Sequence, residues 1–271
     1  MKIAADYFKK GLGQSLGFLV GALVLGTALP HVLNTVGHTF SWRFIVYITS
    51  TLSVFGGVII VTFIPEGPYK KRLTVFNVAQ SLLIFRGKQF NAAAIGYFGH
   101  MWELYAFWTF VPILLIAYKD THQFMNFNVP LLSFLIIAIG GIGCVLSGYL
   151  STKFSTKKIA AISLFISGCC CLLLPVCFYW KSQWGFIGFL LIWGIAVIAD
   201  SPLFSTLVAQ NVKPELRGTG LTLVNCIGFA VTIISIQLLT YIIQYLEVQY
   251  LLPILAIGPI IGVLVLKNKR I

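Results

Sequence analysis

Three ionisable residues lie where this chain is otherwise apolar: His100, Glu103 and Asp200. On a helix, Gly96, His100, Glu103 and Phe107 share one face. That spacing lets the His100 imidazole reach the Glu103 carboxyl one turn away. In an apolar setting such a pair can bind and release a proton, because burial favours the neutral acid. The same carboxyl also reads as a structural group that hydrogen-bonds a neighbouring helix. Asp200 stands two residues before Pro202. Proline removes a backbone donor and frees carbonyls on the preceding turn. Asp200 and Ser201 can satisfy those backbone groups, or Asp200 can act as a binding group at a helix break. Trp102, Tyr105, Phe107 and Trp108 can line a cavity or pack against neighbours. Asn225 and Gln237 can face the same cavity or tie helices together.

Other chemistries find little support. Cys144, Cys169, Cys170, Cys171, Cys177 and Cys226 all fall inside apolar runs and read as small packing residues. They have no zinc-ligand company, so no metal, no cofactor and no disulfide framework are expected. There is no phosphate-binding GxxxxGK[ST] run. His31 and His38 near one membrane edge are too few for a catalytic cluster, so no enzyme is expected.

What must position these residues follows from composition. Hydrophobic residues make up 58% of the chain and charged residues 10%. A soluble domain carries about 25% charged residues, so this chain needs lipid as its solvent. Eight apolar runs are legible, near 14–36, 43–64, 91–117, 129–150, 159–180, 184–208, 218–243 and 248–266. Each is long enough for a hydrocarbon core of ~30 Å at 1.5 Å per residue. None alternates as a barrel strand does. An all-α, polytopic membrane protein of about eight transmembrane helices is predicted. Glu103 then sits ~18 Å into the third span, near the midplane, where a charge costs ~3 kcal/mol on insertion scales. The first run is Gly-rich and leads into further spans, unlike a cleavable signal.

Basic residues orient the spans. With Met1 in the cytoplasm, one side collects Lys2, Lys9, Lys10, Lys70, Lys71, Arg72, Arg86, Lys88, Lys153, Lys157, Lys158, Lys213, Arg217, Lys267, Lys269 and Arg270. The other holds Arg43, Lys119 and Lys181. This asymmetry predicts both termini on the cytoplasmic side. The net charge of +12 is thereby explained by topology and by anionic lipid headgroups, not by nucleic acid. Small-residue pairs, Gly17 with Gly21 and Gly258 with Gly262, read as sites of close helix packing.

Residues 65–90 form the longest polar stretch, opening with Pro65-Glu66-Gly67-Pro68. Two spans precede it and six follow. An internal repeat relates Lys10-Gly11-Leu12-Gly13-Gln14-Ser15-Leu16 to Arg217-Gly218-Thr219-Gly220-Leu221-Thr222-Leu223. One copy opens the first span and the other opens the seventh. The segment Gly148-Tyr149-Leu150-Ser151-Thr152-Lys153-Phe154-Ser155-Thr156-Lys157-Lys158 lies between the fourth and fifth spans.

This arrangement resembles the major facilitator superfamily. The 148–158 segment is similar to its cytoplasmic loop motif, with Gly148, Lys153, Lys157 and Lys158 matching. Thr152 stands where that family prefers Asp, and Ser155 where it prefers Gly. Pro214-Glu215-Leu216-Arg217-Gly218 is also typical of it. The resemblance implies helices five to twelve of a twelve-helix member, a partial fold of that superfamily. Residues 1–64 would be the last two helices of the first bundle, 65–90 the central cytoplasmic loop, and 91–271 the six-helix second bundle. It implies secondary active transport of an unidentified small solute, coupled to an ion gradient, with protons carried through Glu103. The expected setting is a bacterial inner (plasma) membrane, with membrane lipid as the surrounding partner. Four helices of the family pattern are missing from the front, so the chain alone is expected to insert without robust coupled transport. The alternative is a non-transporting membrane remnant or interaction subunit.

Overall fold

The computed structural model describes residues 1–8, 11–36, 42–69, 83–123 and 126–267. Lys9, Lys10, Lys70, Lys71, Arg72, Lys269, Arg270 and His38 lie outside them. The described residues are helical, with eight segments long and apolar enough to cross a membrane.

A short helix α1 (Lys2–Tyr7) precedes α2 (Leu12–Val36) and α3 (Trp42–Phe63). After a 3-10 turn at Ile84–Arg86 comes α4 (Lys88–Thr121), which at 34 residues is the longest helix. Lys88, Gln89 and Asn91, at the end of the polar stretch and just beyond it, lie in the first turns of α4. The fourth span is divided into α5 (Val129–Ala138) and α6 (Gly140–Lys153). Its break at Ile139 adjoins Gly140-Gly141, a pair with poor helix propensity. The fifth span is α7 (Thr156–Phe178). The sixth is divided at Asp200 into α8 (Gln183–Ala199) and α9 (Ser201–Gln210), where Pro202 was expected to break it. The seventh is α10 (Arg217–Ile242). The last is α11 (Val248–Leu251), a 3-10 stretch at Leu252–Ala256 and α12 (Ile257–Lys267). Pro253 lacks the N–H that would continue an α-helix there.

Small residues set the closest approaches. A Cβ at Gly17 would lie 2.6 Å from the Cys144 carbonyl oxygen, and one at Gly21 3.0 Å from that of Gly141. The expected close packing by Gly17 and Gly21 is therefore the crossing of α2 on α6. Gly258 meets Gly99, and a Cβ at Gly262 would lie 3.5 Å from the Cα of Gly96, joining α12 to α4. By contrast, no residue of α3 is buried.

Two apolar cores stack along the bundle. One takes Phe90 to Met101 of α4, Leu164 of α7 and Leu203 to Ala209 of α9. The other takes Leu104 to Tyr118 of α4, Cys170 to Phe178 of α7 and Phe186 to Ile198 of α8. They meet halfway along these helices, at the level of residues 100–103 and 198–203.

Candidate functional site

His100, Glu103 and Asp200 gather at the seam between the two cores. His100, Glu103 and Asp200 are 1%, 1% and 0% exposed. Each is brought there by its own local structure. His100 and Glu103 lie on the middle turns of α4. Asp200 sits at the junction where Pro202 interrupts the sixth span.

The helix break is closed by a neighbour. Pro202 cannot donate to the Ile198 carbonyl, which accepts instead from the Asp200 backbone N–H and from the Cys144 thiol at 3.5 Å. The Ser147 hydroxyl donates to the Ala199 carbonyl. Both donors come from α6. Cys144 and Ser147 thus satisfy carbonyls at the break alongside the Asp200 amide, and the Asp200 carboxylate makes a further contact.

That contact is His100. Its Nδ1 lies 2.8 Å from Oδ1 of Asp200. The two atoms are at ion-pair distance but off the line of a good hydrogen bond, and neither His100 Nε2 nor Asp200 Oδ2 has an aligned partner. The backbone amides of Asp200 and Ser201 approach the carboxylate without reaching hydrogen-bond geometry. The His100 ring also packs between Tyr97, at 5.8 Å between centroids, and Phe204, at 6.3 Å.

Glu103 has different partners. Its Oε1 accepts from Trp193 Nε1 at 2.8 Å and from the Cys171 thiol at 3.2 Å. Its Oε2 accepts from the Ser167 hydroxyl at 2.8 Å. The expected His100–Glu103 pair is therefore corrected. Residues three apart on a helix differ by about 60° in direction, so His100 turns toward α9 while Glu103 turns toward α7 and α8. Glu103 and Asp200 remain within electrostatic range of each other. Of the six cysteines read as packing residues, Cys144 and Cys171 also each donate a hydrogen bond.

The remaining candidates divide. Tyr97 donates to Asn225 Oδ1 at 2.8 Å, which brings Asn225 of α10 to the polar layer. Tyr105 is half-buried and packs on Trp108 and Phe229, with centroids 5.2 and 5.6 Å away. Trp102 is half-buried against Gly258, and its indole N–H and that of Trp108 are enclosed without partners. Gln237 is exposed and does not join the layer. Gly148 packs on the start of α2, where a Cβ would meet the Gly13 carbonyl oxygen at 2.7 Å. Lys153 is exposed over the Tyr149 ring, 5.3 Å from its centroid. Lys157 is half-buried and Lys158 exposed at the start of α7.

Sequence reasoning missed Trp193, Ser167, Cys171 and Ser147. One signal was present: Ser167 and Cys171 are four apart and share a helix face. Nothing local marks Trp193.

Among the described residues, eight apolar spans, three of them interrupted, around a mid-depth layer of buried ionisable groups define an integral, multi-pass membrane protein. The family model of the Major Facilitator Superfamily matches residues 1–236, and the chain belongs to that superfamily. Among solved structures it is similar to a bacterial homologue of the iron transporter ferroportin, crystallised in an outward-facing state, with a TM-score of 0.55 and 18% identity. The match covers 78% of this chain and 51% of that one, so the chain spans about half of its neighbour's length. The likeness is one of fold. No curated protein matches the chain.

Proposed function

We propose that this chain serves secondary active transport of a small solute, driven by a proton gradient, with the His100–Asp200 pair and Glu103 as its titrating groups. The observation that carries the reading is the 2.8 Å contact between His100 and Asp200 at mid-bundle. A carboxylate and an imidazole are buried there with polar atoms that no aligned partner satisfies, and such groups are expensive to keep in a membrane unless they are used. Asp200 also stands on a discontinuous helix, the place where transporters gather binding groups. Membership of the superfamily supports transport rather than catalysis.

In this reading residues 1–64 and 91–271 belong to the two bundles of the family pattern, with 65–90 between them. The basic asymmetry supports a cytoplasmic location for both termini and for residues 65–90. The setting is a bacterial inner membrane.

The test is uptake into sealed vesicles carrying the purified chain, under an imposed pH gradient, across a panel of labelled solutes. His100, Glu103, Asp200 and their partners all lie within 91–271. Contrary to the expectation drawn from the missing helices, accumulation that a protonophore abolishes, and that Asp200→Asn lacks while retaining solute exchange, is therefore expected. Uptake of every solute at the level of protein-free vesicles would favour the non-transporting reading. Accumulation that survives the protonophore would remove proton coupling.

A further inference from the structure

Two cavities open at the edge where α7 begins and α12 ends. One is an apolar slot of about 180 Å³ between these helices, walled by Leu164, Phe165, Cys169, Pro259, Ile260 and Leu264, with Lys267 at its end. Gly168 makes the slot: a Cβ there would lie 2.8 Å from the Cβ of Pro259. The other cavity is polar, about 280 Å³, and there Lys157 meets Gln89, Gln210 and Asn211. The final turn of α12 divides the two, with Leu266 lining the polar cavity and Lys267 the slot. Lys157, Leu164 and Gly168 fall on one face of α7 at spacings of seven and four. Lys157 therefore stands ~10 Å along the helix from the slot's Leu164.

We infer that this edge is a binding site for an anionic phospholipid, with an acyl chain in the α7–α12 slot and the phosphate held by Lys267 and Lys157. The slot lies along spanning segments, where its occupant is hydrocarbon. Lys267 lines the slot, and Lys157 lies in the neighbouring polar cavity across the final turn of α12, so a headgroup at that turn has a lysine on either side. Long lysine side chains place their charge at the interface while their stems lie on apolar surface. Basic side chains near the membrane surface favour anionic over zwitterionic lipid. Gln89 and Gln210 add amide donors for phosphate and glycerol oxygens. The assignment is independent of any transport activity.

The purified chain, delipidated in detergent, is titrated with phosphatidylglycerol or with phosphatidylcholine of the same acyl chains, and bound lipid is counted by native mass spectrometry. Phosphatidylglycerol should be retained preferentially. Lys157→Gln and Lys267→Gln should each weaken it about fivefold, and together about 25-fold, at ~1 kcal/mol per surface lysine. Cys169→Trp, which fills the slot, should abolish retention with both lysines present. Lys181→Gln, at the opposite edge, should change nothing. Equal retention of the two lipids, or unchanged retention in the double lysine variant, overturns the assignment. So does displacement of the lipid by inorganic phosphate, which would give the lysines to a soluble anion. Lys267 is exposed and Lys157 half-buried, and glutamine keeps most of the lysine stem, so the lysine variants, checked by melting temperature, decide the matter even if Cys169→Trp does not fold.

Discussion

Nδ1 of His100 and Oδ1 of Asp200 lie 2.8 Å apart and join the middle of α4 to the break between α8 and α9. The contact is buried, and the carbonyls at the helix break beside it accept from Cys144 and Ser147 of a third element. A buried pair of this kind is not by itself a stabilising device. Its position, between two apolar cores and on a discontinuous helix, is what connects it to function.

Removing one partner should hurt more than removing both. Asp200→Leu or His100→Leu alone leaves an uncompensated buried group and should cost about 3–5 kcal/mol. The double variant, which leaves neither charge, should recover much of that loss. Thermal unfolding of the four proteins in one detergent reads the cycle. Additive losses would show that the pair is not coupled.

Glu103 separates the two readings of its role. In Glu103→Gln, the amide oxygen can still accept from Trp193 and Cys171, and the amide nitrogen can donate to Ser167, whose hydroxyl already reaches the Leu164 carbonyl at 3.2 Å. Folding should therefore change by less than ~1 kcal/mol. If Glu103 carries protons, this variant loses accumulation against a gradient and keeps exchange. Accumulation at the wild-type level in vesicles would remove Glu103 from the mechanism and leave Asp200 as the group to test.

Truncating the same side chain should be costly whatever its role. Glu103→Ala strands the buried Trp193 N–H and leaves a void among α4, α7 and α8. An unsatisfied buried donor costs about 1–3 kcal/mol, and Trp193→Phe should show a loss of similar size from the other side of the bond. Melting temperatures check both. A neutral Trp193→Phe would mean that Ser167 and Cys171 suffice.

Two glycines should respond in opposite ways to alanine. At Gly17 the new Cβ would meet the Cys144 carbonyl at 2.6 Å, a backbone atom that cannot move aside without shifting α6. A loss of about 1–3 kcal/mol is expected. At Gly57 on α3 nothing lies within 4 Å, and the better helix former should be neutral or slightly stabilising. Equal melting temperatures for the two variants would contradict the α2–α6 crossing.

Topology is tested by reporter fusions at Lys88 and at Ile271. Both should report the cytoplasm. An external signal from either would reverse the orientation.

The sequence by itself determined what depends on local composition. Lipid-spanning length and hydropathy gave all eight segments to within a few residues, and Pro202 marked the break at Asp200, because proline's missing donor acts on its own turn. Gly17, Gly21, Gly258 and Gly262 were legible as contact points, since a missing side chain permits close approach wherever the partner is. The partners themselves were not legible. His100 was expected on Glu103, its neighbour along the helix, but the tertiary structure gives His100 to Asp200 and gives Glu103 to Trp193, Ser167 and Cys171. Cys144 and Ser147 look like packing residues until the carbonyls of Ile198 and Ala199 at the helix break lie against them. Which helix stands beside which is set by packing over the whole bundle, and a buried polar group bonds to whatever donor that packing brings within about 3 Å.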